Sequence, residues 1–78
     1  MSIEFLRTEA ETAFGFAKIA SDTPNQERRR RNVRHARRAY DTLLHFLKDL
    51  VLTANERDEM QTKVAELHRQ LVALGETL

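Results

Sequence analysis

The chain has 78 residues, with 13 basic and 12 acidic side chains, no cysteine and a net charge of +1. This length supports one domain with a modest core, and the absence of cysteine excludes disulfides and thiolate metal sites. No apolar run is long enough to cross a membrane, and we expect no signal peptide. The sequence therefore predicts a single domain over residues 1–78 and a cytoplasmic location.

Helix is the expected secondary structure, because glycine and proline are rare throughout the chain. The first predicted helix covers about residues 3–20. One face carries apolar residues at a 3-4 spacing, and most of them are small. Such a face lets a neighbouring helix approach closely. Its residues are Ile3, Leu6, Ala10, Ala13, Ala17 and Ala20.

Phe5, Phe16 and Ile19 lie on a second side of the same helix, at about 100° per residue. A helix that is apolar on two sides is either central in its bundle or in contact with another chain. These three residues are therefore candidates for the binding of a protein partner.

The second predicted helix covers about residues 24–52, with Thr23 as the N-cap and Pro24 in the first turn. Its apolar stripe again has a 3-4 spacing, which is typical of a helix that packs along one face. The stripe consists of Val33, Ala36, Tyr40, Leu43, Leu47 and Leu50.

The third predicted helix covers about residues 54–74. Thr53 and Glu56 form a capping-box pattern at its start, with Asn55 as an alternative cap. Gly75 indicates its end. Because neither glycine nor proline separates the second helix from the third, one continuous helix from 24 to 74 is the alternative interpretation.

Three helices with heptad-like stripes and short connections predict an all-α fold, an antiparallel three-helix bundle that runs up, down and up around a long central helix. Residues 39–44, together with the spacing of Leu67, Leu71, Leu74 and Gly75, resemble a helix pair of tetratricopeptide-like or microtubule-interacting-and-transport-like domains. Those domains are small helical modules that bind peptides. The resemblance implies a similar architecture and assigns no binding residue.

Residues 28–38 contain seven arginines and no acidic residue, whereas the segments on either side are acidic. Five of these arginines fall within about 120° on one side of the second helix. A row of guanidinium groups can hold the phosphates of a nucleic acid or of an anionic membrane, or form part of a protein-binding face. Local ion pairs are the alternative. Arg30 and Arg31 lie i+3 and i+4 from Glu27, and Asp41 lies i+4 from Arg37 and i+3 from Arg38. The five are Arg30, Arg31, Arg34, Arg37 and Arg38.

No residue pattern predicts catalysis. His35, His45 and His68 lack the i, i+3 or i+4 spacing of a helical metal site, and there is no phosphate-binding loop or nucleophile motif. We expect no enzyme activity, cofactor, metal or small-molecule substrate.

The favoured function is protein–protein interaction, as a scaffold, adaptor or regulatory subunit that contacts a partner or a second copy through Phe5, Phe16 and Ile19. The alternative is sequence-independent nucleic-acid binding through the five arginines. A third hypothesis is a structural homodimer built on continuous second and third helices.

Overall fold

The computed structural model describes residues 2–78, which form three α-helices and no strand. Helix α1 covers Ile3–Asp22, α2 covers Gln26–Leu47 and α3 covers Ala54–Ala73. The described residues occupy an envelope of 41 × 19 × 17 Å. The all-α prediction is confirmed, and the second and third helices are separate.

The most extensive contact in the molecule joins α1 to α2. Alanine faces on both helices are almost completely buried, so the two backbones lie close together. Leu6 and Leu43 are fully buried in the same core. The small-residue face expected on the first helix is therefore the surface against which α2 packs; its alanines are Ala10, Ala13, Ala17 and Ala20, and those of α2 are Ala36 and Ala39.

Helix α3 completes the core with the buried side chains of Met60, Leu67 and Leu71. It is also tied to α1 by an ion pair, because Arg7 donates from Nε and Nη2 to the two carboxylate oxygens of Glu59, both at 2.8 Å. Lys63 donates to Glu59 at 3.1 Å. Apolar packing and this charged clamp together hold α3 on the α1–α2 pair.

The start of α2 differs from the prediction of residue 24. Asn25 is the N-cap, and its side chain accepts a hydrogen bond from the backbone N–H of Arg28 at 2.9 Å. Thr23 instead closes α1, since its backbone N–H donates to Ile19. Asparagine is the stronger N-cap of the two, which explains why α2 begins two residues late.

The end of α2 also differs, because the helix stops at Leu47 and not at residue 52. Asp49 and Leu50 donate their backbone N–H groups three residues back, to Phe46 and Leu47, and this tightens the chain into a turn. Leu50 still packs against the core from that turn. The 3-4 apolar spacing therefore continues beyond the last residue of the helix. For this reason the sequence predicted an end of α2 at residue 52, which is too late.

Both ends of α3 follow the predicted signals. Thr53 and Glu56 form a capping box in which each side chain accepts a backbone N–H of the other residue. After the helix, Gly75 adopts a left-handed φ of 100°, and Glu76 donates its N–H back to Leu71 at 3.0 Å. This hydrogen bond and the left-handed Gly75 form a Schellman motif. The motif ends α3 one residue before the predicted position 74.

No helix within residues 2–78 combines the length and the hydropathy needed to cross a bilayer.

Replacement of Ala13 by leucine is expected to destabilise the protein by about 1–3 kcal/mol, because the larger side chain forces apart the closely packed α1 and α2. Ala65→Leu on the exposed side of α3 is the matched control and should change stability by no more than about 0.5 kcal/mol. Urea unfolding followed by circular dichroism measures both. Equal effects of the two substitutions would contradict the close approach.

The pKa of Glu59 falls from its ordinary value of 4.5 to about 2, chiefly through the hydrogen bonds from Arg7 and then those from Lys63. Because the pKa is lower in the folded state, the ionised carboxylate stabilises the fold above about pH 4.5, and this contribution is lost as the pH falls through about 2. Glu59→Gln should therefore be less stable than the native chain at pH 7, with the difference shrinking toward pH 2.

The control is Glu11→Gln, which removes an exposed carboxylate that has no ion pair in the described chain. Thermal unfolding at several pH values measures both variants. A Glu59→Gln difference that stays constant with pH would show that the clamp does not contribute through its charge.

Candidate functional site

The outer side of α2 carries the five predicted arginines, and we call this surface the arginine face: Arg30, Arg31, Arg34, Arg37 and Arg38. The backbone places them along about 12 Å of helix, since α2 rises about 1.5 Å per residue. All are exposed except Arg37, which is half-buried. The arrangement expected from helical spacing is therefore present, but its members differ in their surroundings.

Arg37 is held by the rest of the molecule. Its Nε donates to both carboxylate oxygens of Asp41 at 3.2 Å. Its Nη1 donates to Glu76 at 3.0 Å and to the carbonyl of Thr77 at 3.2 Å. The hydrogen bonds to Asp41 and then to Glu76 raise the pKa of Arg37. This arginine joins α2 to the segment after α3 and has little capacity left for a ligand.

The other four arginines have no carboxylate within 4.0 Å among residues 2–78. The sequence suggested Glu27 as a partner for Arg30 and Arg31, yet Glu27 forms no ion pair there. Asp41 binds Arg37 and not Arg38. Four uncompensated guanidinium groups thus remain on one side of one helix.

Arg34 lies on the crest of the arginine face, with a shallow depression on either side that it helps to line. The depression toward α3 is also lined by Arg29, Arg30 and Glu76, above a floor formed by Val33 and Leu74. The depression on the opposite side is lined by Arg31, His35 and Arg38, together with Glu27. The unpaired arginines are therefore divided between two flanks of α2.

Aromatic rings border the face on the side of α1. Phe16 contacts His35, with ring centroids 4.9 Å apart. Farther along α2, Phe46 packs edge-on against Phe5 at 5.3 Å and against His45 at 4.9 Å. The sequence does not predict this border, because Phe5 and Phe16 belong to a different helix and the spacing of residues along α2 gives no information about their position.

The predicted apolar contact surface is divided by the fold. Phe5 and Phe16 are half-buried and pack against the core, whereas Ile19 is 45% exposed. Ile19 and Phe16 line a shallow depression with Thr12 and Gly15. Only this part of the predicted surface faces solvent as an apolar patch.

No cluster of three or more metal-ligating side chains forms within residues 2–78. His35 and His45 lie in the aromatic pairs described above, and His68 lies 6.5 Å from the ring of Tyr40. Tyr40 is buried, which raises the pKa of its hydroxyl. The histidines therefore lie apart, each next to an aromatic ring.

Comparison with known proteins gives no match: no family model, no curated protein and no solved structure is similar to this chain. The likeness to tetratricopeptide-like and microtubule-interacting-and-transport-like helix pairs thus stays a similarity of sequence pattern.

Proposed function

We propose that the chain is a small, non-enzymatic helical binding module of the cytoplasm, and that the arginine face is its contact surface for an anionic macromolecule. The observation that carries this proposal is the set of four arginines without a carboxylate within 4.0 Å in the described chain. Guanidinium groups bind carboxylates and phosphates through two parallel hydrogen bonds. A negatively charged partner would supply the carboxylate or phosphate groups that these four arginines lack within the fold.

The energetics of α2 support this proposal. Arg30 and Arg34, and Arg34 and Arg38, are like-charge pairs at the i, i+4 spacing. Each such pair costs an isolated helix about 0.2–0.5 kcal/mol. Arg7 and Lys63 are paired with Glu59, whereas most arginines of the 28–38 run have no carboxylate within 4.0 Å in the described chain. A binding role accounts for the accumulation of unpaired charge on this one face.

We further infer that the helices run up, down and up, with α2 as the middle helix along the chain. Phe5, near the start of α1, contacts Phe46, near the end of α2. Phe16 contacts His35 in the earlier half of α2. Arg7 meets Glu59, near the start of α3. In this arrangement the arginine face forms the outer side of α2, on the side opposite its packing stripe.

Removal of the four unpaired arginines is expected to weaken binding to polyanions by at least about tenfold, since each guanidinium contributes a charge-assisted contact. The variant is R30Q/R31Q/R34Q/R38Q. Fluorescence anisotropy with a labelled polyglutamate peptide and a labelled DNA duplex, at about 50 mM salt, measures the dissociation constants.

The matched control is K18Q/K48Q/R57Q/R69Q, which changes the net charge by the same amount at exposed positions off the arginine face. Its affinity should remain close to that of the native chain. An equal loss in both variants would show that only net charge matters. No binding of either probe by the native chain would overturn the proposed function.

A second candidate function is protein association through the depression at Phe16 and Ile19. Gly15 favours it, because a Cβ atom added there would meet nothing within 4 Å and its φ is not positive. A helical glycine costs about 1 kcal/mol relative to alanine, and the fold gives no steric reason for it. Close approach of a second chain would give one.

Gly15→Ala separates this candidate from a purely local effect. The substitution should stabilise the isolated chain by about 0.5–1 kcal/mol and, if a second chain packs there, weaken self-association. Light scattering after gel filtration measures the mass, with Ile19→Glu as the disruptive variant and Leu44→Glu, at an exposed position on α2, as the control. A native chain that is monomeric at high concentration would remove self-association from consideration.

A further inference from the structure

We propose that the partner of the arginine face is duplex DNA, and that α2 lies in the major groove with its arginines directed to both flanking phosphate backbones. The inference rests on the proposed function, since it takes the arginine face as the contact surface. It adds the class of the partner and the way in which that partner is held.

The division of the arginines between two flanks carries the inference. On the helix, Arg30 is turned by about 100° from Arg31, and Arg34 lies between them. Arg34 lines the depressions on both sides of the crest, whereas Arg30 and Arg31 each line one. Arg38 lies on the same flank as Arg31. A ligand that uses all four must present negative charge along both depressions, over an arc of about 100° around α2.

Duplex DNA has this shape. Its major groove is about 12 Å wide and admits an α-helix, whose diameter with side chains is about 10–12 Å. A phosphate backbone runs along each wall of the groove. Arg30 would face one backbone, Arg31 and Arg38 would face the other, and Arg34 on the crest would face the base edges, where arginine pairs with guanine.

Other polyanions fit less well. An acidic peptide presents one row of charge and reaches one flank at a time. Single strands are held largely by bases stacked on exposed aromatic rings, but Phe16 and Phe46 are half-buried and already packed against His35 and Phe5. The arginines needed to contact the two backbones of a groove are present, whereas Phe16 and Phe46 are not free to stack on the bases of a single strand.

The contact should also be short. Arg30 and Arg38 are the outermost unpaired arginines of the face, about 12 Å apart along α2. Glu27 precedes them and lines the same depression as Arg31 and Arg38, and Asp41 follows. Both carboxylates would be repelled by phosphate. We therefore expect about four ionic contacts. The logarithm of the binding constant should fall with the logarithm of salt concentration at a slope of about −3 to −4.

Four labelled probes test the proposal with the full chain: a DNA duplex of about 16 base pairs, an RNA duplex of the same sequence, one DNA strand alone, and a polyglutamate peptide. The RNA duplex carries the same charge, but its A-form major groove is too deep and narrow for protein side chains to enter. We expect the DNA duplex to bind about tenfold or more tightly than each of the other probes.

Single substitutions then test both flanks. R30Q, R31Q, R34Q and R38Q should each weaken binding to the DNA duplex by about fivefold and make the salt slope shallower by about 1. R57Q on α3 removes an exposed arginine that has no ion pair in the described chain, and it should leave both values unchanged. Circular dichroism confirms that each variant remains folded.

The outcomes separate this inference from the proposed function. Equal affinity for the DNA and RNA duplexes would overturn docking in the groove. So would an effect of R31Q and R38Q without an effect of R30Q. Tighter binding of polyglutamate or of the single strand would overturn duplex DNA as the partner while leaving the arginine face as the contact surface. Absence of binding to all four probes would overturn both.

Discussion

The close approach of α1 and α2 is the constraint on which the rest of the molecule depends. Alanines on both helices make that contact, and they can do so only if the larger side chains lie at its borders. Phe5 and Phe16 therefore emerge beside α2 and meet Phe46 and His35. The same contact fixes the rotation of α2, so that its polar side, with the arginines, is turned away from α1 and toward solvent.

The fold uses its charges unevenly. The acidic segments on either side of the arginine run could have neutralised it, but their carboxylates are engaged elsewhere or remain apart. Glu59 is bound to Arg7 and Lys63, and Glu76 takes only Arg37. Ion pairs on an exposed surface contribute little to stability. Neutralising the remaining arginines would therefore add little to the fold, whereas leaving them unpaired keeps them available for a ligand.

The sequence predicted the helices better than the site. Local signals located the start of α3 at Thr53 and its end at Gly75, because capping chemistry acts within a few residues. The end of α2 was missed since Leu50 continues the apolar spacing from a turn. The five arginines could be assigned to one side of a helix, but which of them is paired depends on where Glu76 arrives in space. The neighbourhood of Phe16 and His35 likewise exists only in the folded chain.

The Schellman turn at Gly75 sets how firmly Arg37 is held. It directs Glu76 back toward α2, where it holds Arg37. Terminal turns of helices open more readily than buried ones, and α3 is attached less extensively than the α1–α2 pair. Each time its last turn opens, Arg37 loses its bonds to the tail and keeps only Asp41. The freedom of the Arg37 side chain is thus coupled to the fraying of α3, which links the local dynamics of one helix end to a side chain of another helix.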